Sequence, residues 1–233
     1  MIEKKDCYIF NRCKKALDGT CQHDDCSFCQ KLFRVNYLFD ESLMTDKQRK
    51  RIDLKLDDDG TDKEEFDRLK TIEDNIEDFV SSGENLYIHS SNCGNTKTSW
   101  ALRLLQAYVE KIWYKSDLSC RVLFISVPRF LLAIKDNIST PSEYVKHIKD
   151  NVLDCDIVVW DEIGTKAPTQ FEHEHLLSLI NLRIDNGKSN IYTSNLNPAQ
   201  LKAVVGDRLF SRISNLSIDI EFFGKDKRGI YKE

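Results

Sequence analysis

"SSNCGNTKTSW", Ser90 to Trp100, follows the short apolar run "NLYIHS" (85–90) and leads into apolar residues repeating at helical spacing. A phosphate-binding loop of the Walker A form reads G-x-x-x-x-G-K-[ST] and sits between a strand and a helix. The aligned residues are Ser91, Asn92, Cys93, Gly94, Asn95, Thr96, Lys97 and Thr98, with Ser99 next. The lysine and the hydroxyl are in place. Serine and threonine stand where the pattern has its two glycines. Backbone N–H groups at a helix N-terminus point at an anion, and the helix dipole favours negative charge there. Lys97 would reach the outer phosphates of a nucleotide, and Thr98 would place its hydroxyl on Mg²⁺. If position 96 needs a positive φ, its β-branched threonine adds strain of about 1–3 kcal/mol. That energy corresponds to about a tenfold to hundredfold loss in affinity. The plain alternative is a strand-to-helix turn carrying a surface lysine.

Outward from this loop, strands and helices alternate. Trp100, Ala101, Leu104, Leu105, Tyr108 and Ile112 mark a helix face. "RVLFISV" (121–127) reads as a strand and "RFLLAIKDN" (129–137) as a helix. "DIVVWDE" (156–162) is a continuous apolar run, "EHEHLLSLINLRIDN" (172–186) is helical, and "SNIYTSNL" (189–196) is a further strand. This pattern predicts an α/β fold, a parallel sheet with helices on both faces. Upstream, Ile72, Ile76, Phe79 and Val80 predict a helix over 63–81 with an acidic outer face.

"VVWDE" (158–162) has the form of a Walker B element. It delivers Asp161 and Glu162 at the C-terminal end of its strand, where ligands bind in open parallel sheets. Asp161 would hold Mg²⁺. Glu162 would orient and activate an attacking water. A strand that merely ends in acidic residues is the alternative.

The 233 residues carry 34 basic and 38 acidic side chains, a net charge of −4. That balance argues against a bulk electrostatic grip on nucleic acid and leaves room for a local patch such as Lys47–Arg51. No apolar run reaches membrane-spanning length, and "MIEKKDCYIF" lacks the apolar region of a secretory signal. Five of the eight cysteines fall in the first 29 residues: Cys7, Cys13, Cys21, Cys26 and Cys29, with His23 among them. Cys26-x-x-Cys29 is a knuckle spacing suited to tetrahedral Zn²⁺, completed by two of the others or His23. A module this small would draw its folding energy largely from the metal. The expected division is a zinc-binding module over 1–45, a charged linker and helix over 46–82, and a nucleotide-binding domain over 83–233.

"IYTSNLNPAQLKAVVGDRLFSRI" (191–213) resembles the DnaC/DnaI-type replicative helicase loaders and their phage relatives, members of the AAA+ ATPases. "WDEIG" (160–164), "GKDKR" (224–228), "DCYIFNRC" (6–13) and "CGNTKTSWA" (93–101) are similar to the same family. The likeness covers about 1–30 and 83–229. Transposition-helper ATPases share much of this core. The resemblance implies an AAA+ P-loop core that binds ATP and Mg²⁺ and self-assembles. It also implies an N-terminal region that docks on the replicative helicase hexamer, and placement of that ring on single-stranded DNA in the cytoplasm of a bacterial host cell. It implies Asn195 as the sensor-1 residue and Arg212, or alternatively Arg208, as an arginine finger reaching a neighbour's nucleotide. Arg228 is implied as sensor 2. The family pattern favours Cys7, Cys13, Cys21 and Cys26 for zinc, the knuckle favours Cys26 with Cys29, and both sets stay open. An inactive AAA+-like adaptor that binds helicase without hydrolysis is the reading Thr96 favours.

Overall fold

The computed structural model describes residues 14–21, 26–50, 52–54, 56, 60–92, 94, 96–137 and 140–224, with only the backbone at 14, 16 and 26–29. A short helix α1 (Lys14–Leu17) is followed by α2 (Cys26–Glu41), α3 (Lys63–Asp74) and α4 (Ile76–Ser81). The expected single helix over 63–81 is thus two, because Asn75 leaves helical geometry at φ −111°, ψ 32°. Then come β1 (Asn85–His89), α5 (Lys97–Ile112), β2 (Val122–Ser126), α6 (Val127–Asp136) and α7 (Glu143–Asn151). The chain continues through β3 (Ile157–Asp161), α8 (Gln170–Asp185), β4 (Ser189–Ser194), α9 (Pro198–Ser214) and β5 (Ser217–Glu221).

All the strand pairs are parallel, in the order β2-β3-β4-β1-β5. Continuous burial along β1, β3 and β4 explains why those strands read as unbroken apolar runs. Alternate side chains feed two cores. Leu86, Ile88, Val122, Phe124, Ile157 and Val159 face Trp100, Leu104 and Leu105 of α5 together with α3 and α4. Tyr87, Leu123, Ile125, Val158 and Trp160 face α6, α7, α8 and α9. Leu38 and Met44 belong to the first core, and the carbonyl of Ser42 accepts the Phe124 N–H at 2.8 Å on the outer side of β2.

Two glycines are fixed by geometry. Gly206 has φ 79°, ψ 164°, a region open essentially to glycine, and it divides α9 into two helical segments across a kink. Gly164 has φ 84°, and a Cβ there would stand 2.6 Å from Leu201 Cδ1. The glycines of "GDRLFSR" and "WDEIG" are therefore demanded by the backbone.

Candidate nucleotide site

The strand order builds the site. Because β4 lies between β1 and β3, the loop after β1, the acidic end of β3 and the tip of β4 meet at one edge of the sheet. Lys97 and Thr98 open α5. Thr98 Oγ1 donates to Asp161 Oδ1 at 2.8 Å, across 63 residues of sequence. Thr193 Oγ1 donates to the same oxygen at 2.7 Å and accepts the Glu162 N–H at 3.0 Å. One β4 hydroxyl thus binds the carboxylate that ends β3 and the backbone N–H of the acidic residue after it. A hydroxyl and a carboxylate in direct contact at a helix N-terminus match the donor set a hard divalent cation takes.

The loop is held from below. The Asn92 N–H donates to Ser90 Oγ at 3.0 Å, and the Ser90 N–H donates to the Ser194 carbonyl at 3.2 Å. Lys97 is only 7% exposed, and its ammonium donates to the Asn92 carbonyl at 3.0 Å. Thr96 precedes α5 at φ 70°, ψ 3°, in the left-handed region, and its side chain caps nothing. The condition under which threonine is strained is therefore met, at about 1–3 kcal/mol. Glu162 is also left-handed, at φ 60°. Strain of this kind gathers at functional sites, where surrounding contacts over-determine the backbone.

The electrostatics favour metal and base chemistry. Burial pushes the Asp161 carboxyl above its ordinary range, against the hydrogen bonds from Thr193 and Thr98 and the charge of Lys97. Burial, then the charge of Asp161, pushes Glu162 up as well. A carboxylate raised in this way is a stronger proton acceptor.

The structure brings together Asn92, Gly94, Thr96, Lys97, Thr98, Asp161 and Glu162, with Ser99 one residue further along α5. Asn195 is half-buried just past β4. Arg208 and Arg212 are exposed elsewhere. They line a groove of about 570 Å³ with Leu177, Asn181, Asp207 and Ser211, and none of the loop residues borders it. Cys93, Asn95, Arg228, Cys7, Cys13 and His23 lie outside the described residues. Cys26 and Cys29 fall on the backbone-only start of α2, and Cys21 is half-buried ahead of it. Among the described residues no group of three His, Cys, Asp or Glu is placed to hold a metal. No described helix is long and apolar enough to cross a membrane.

Thr193 carries no motif of its own in the sequence. Its place follows from register: Trp160 pairs with Tyr192, so the next residues, Asp161 and Thr193, come side by side.

Residues 71–219, more than half of the chain, match the family described as the bacterial DnaA ATPase domain. No curated protein sequence matches the chain at a significant level. Among solved structures, the fold is similar to the DnaC helicase loader, at 19% identity and TM-score 0.53 over 66% of this chain and 86% of that one. It is similar to DnaI at 22% identity and TM-score 0.56, over 80% and 95%. It is also similar to the replication initiator DnaA bound to AMPPCP and single-stranded DNA, at 19% identity and TM-score 0.52 over 72% of this chain. The chain spans half the length of that DnaA. A phosphate-loop strand, an acidic strand and a polar strand tip joined in this order make an AAA+ core, and the chain belongs to the bacterial DnaA ATPase-domain family.

Proposed function

We propose that this protein is a replicative helicase loader, an ATPase that binds the hexameric replicative helicase and assists its placement on single-stranded DNA. The single observation that carries the nucleotide chemistry is the Lys97–Thr98–Asp161–Thr193 cluster. What supports the loader reading over other ATPases of this fold is "TSNL…GDRLFSR" together with the likeness to DnaC and DnaI. The expectation of a helicase partner comes from the likeness to the DnaC helicase loader, and that of single-stranded DNA from the likeness to DnaA bound to it.

In this reading Lys97 and the N–H groups opening α5 bind the phosphates. Thr98 and Asp161 hold Mg²⁺, which when bound neutralises charge on the phosphate oxygens. Thr193 orients Asp161 and fixes the Glu162 backbone. Glu162 takes the proton of the attacking water, and Asn195 helps to position that water. Arg212, or in its place Arg208, acts from a neighbouring subunit, and Arg228 acts within its own. The N-terminal cysteines hold zinc in a module that docks on helicase, in the phage branch of the family and inside a bacterial host cell. Purified without chelators, the protein should then carry about one Zn²⁺ per chain, since structural sites take four ligands. Elemental analysis that finds none would remove the zinc module.

The test of the whole reading is to mix the chain with a bacterial replicative helicase and follow the complex by sedimentation, with ATP and Mg²⁺ and without. A loader forms a complex whose stability or stoichiometry changes with ATP. The left-handed Thr96 favours a second reading, an inactive adaptor, for which the same complex forms and ATP changes nothing. Absence of any complex contradicts both.

A further inference from the structure

Asp62 joins three separate parts of the chain. It stands just before α3 at φ 63°, in the left-handed region that Asp and Asn enter more readily than other side chains. Its carboxylate does not cap its own helix. Instead Oδ1 accepts the Phe223 N–H at 2.7 Å and Oδ2 accepts the Gly224 N–H at 2.8 Å. Hydrogen bonds to an ionised acceptor at such lengths are the strong ones. The carbonyls of the same two residues accept the Asn92 side-chain amide, at 3.0 and 3.3 Å. Asn92 is the residue whose own carbonyl holds the Lys97 ammonium. The Phe222 N–H donates to the His89 carbonyl at 2.9 Å, so 222–224 run past the end of β1 beside the loop. A continuous path of hydrogen bonds leads from Asp62, through two peptide groups, to Asn92 and Lys97.

We propose that Asp62 is a positioning residue for the phosphate loop: by clamping the backbone of 223–224 it fixes Asn92, and so ties the segment ahead of α3 to the loop that binds phosphate. No other side chain is bonded to both the Phe223 and the Gly224 N–H groups among the described contacts. The clamp itself is independent of any ligand. Its effect on affinity rests on the nucleotide reading above.

Asp62→Asn is the discriminating variant. Asparagine suits the left-handed backbone but turns one accepting oxygen into an N–H₂ that faces a donor. In nucleotide-free protein, amide exchange followed by mass spectrometry should speed up about tenfold or more in two peptides at once, one covering 90–100 and one covering 220–224. Faster exchange confined to 220–224, with the loop unchanged, overturns the proposal. With a fluorescent ATP analogue and Mg²⁺, Asp62→Asn should weaken binding about tenfold, as expected for one lost charge-assisted bond. Adding Asn92→Ala should then cost little more, because both changes break one path. Additive losses overturn the shared path. If wild type binds no nucleotide the functional reading fails, and the exchange result still decides the clamp.

Discussion

Asp161→Asn should remove the gain in nucleotide affinity that Mg²⁺ provides, while the nucleotide-free protein stays as stable as wild type or becomes more so. The two effects have separate causes. Losing a charge-assisted contact to the cation costs about 1.5–3 kcal/mol. That is about a tenfold to hundredfold or larger loss in affinity, and it should vanish from the comparison when Mg²⁺ is withheld. The fold loses little, because an asparagine Oδ1 accepts the Thr98 and Thr193 hydroxyls as the aspartate does. It should gain something. The folded-state pKa of Asp161 is raised above its ordinary value of 3.8 by burial. A raised carboxylate disfavours the folded state once ionised. Its penalty grows as pH rises from that ordinary value through the folded value, and is fully present at neutral pH. Asparagine carries no such penalty. The melting temperature without nucleotide should hold or rise by about 2–4 °C per kcal/mol relieved. Calorimetry and a titration with and without Mg²⁺ test both halves. A variant that unfolds easily, or that still responds to Mg²⁺, would count against the assignment of Asp161.

Arg212→Ala should lower ATP turnover about a thousandfold while nucleotide binding stays within a fewfold of wild type. A guanidinium meeting charge that develops on the γ-phosphate is worth that order in rate. It does little for the ground state. Arg212 is exposed on the second half of α9, beyond the break at Gly206, in a groove that none of the loop residues borders. The proposed reading has it act on a neighbouring subunit's nucleotide. Mixing Arg212→Ala with Lys97→Ala should restore part of the turnover, since each chain supplies what the other lacks. Two folded, co-assembling variants that show no rescue would refute a finger acting between subunits, and Arg208→Ala in the same assay tests the alternative.

Most of the sheet was legible because buried parallel strands write themselves as apolar runs. The expected strands over 85–90, 121–127, 156–162 and 189–196 correspond to β1, β2, β3 and β4 within one or two residues at each end. The edge strand β5, "SIDIE", writes no such run. Its partners lie on one side only and its burial is broken, so acidic residues alternate through it. Helix α7 is equally quiet in the sequence. Only Val145 and Ile148 are buried in its nine residues, too few to set a clear period. Strand order was beyond local pattern. Nothing near Thr193 says that β4 inserts between β1 and β3, and that insertion is what puts its hydroxyl on Asp161. Asp62 was hidden for a similar reason, since its partners lie 161 and 162 residues away. The left-handed backbone at 96 was anticipated only as a condition, because the glycine that would announce it is absent from the sequence.

The most direct measurement is a titration of wild type and Thr96→Gly with a fluorescent ATP analogue, in Mg²⁺ and in excess chelator. Glycine relieves the strain at φ 70°, about 1–3 kcal/mol. If the loop closes into this conformation on binding, the relief appears as affinity of about tenfold or more. The account predicts Mg²⁺-dependent binding by both proteins, tighter in Thr96→Gly. If neither binds nucleotide, "SSNCGNTKTSW" is a phosphate loop in outline alone, and the ATPase reading is contradicted.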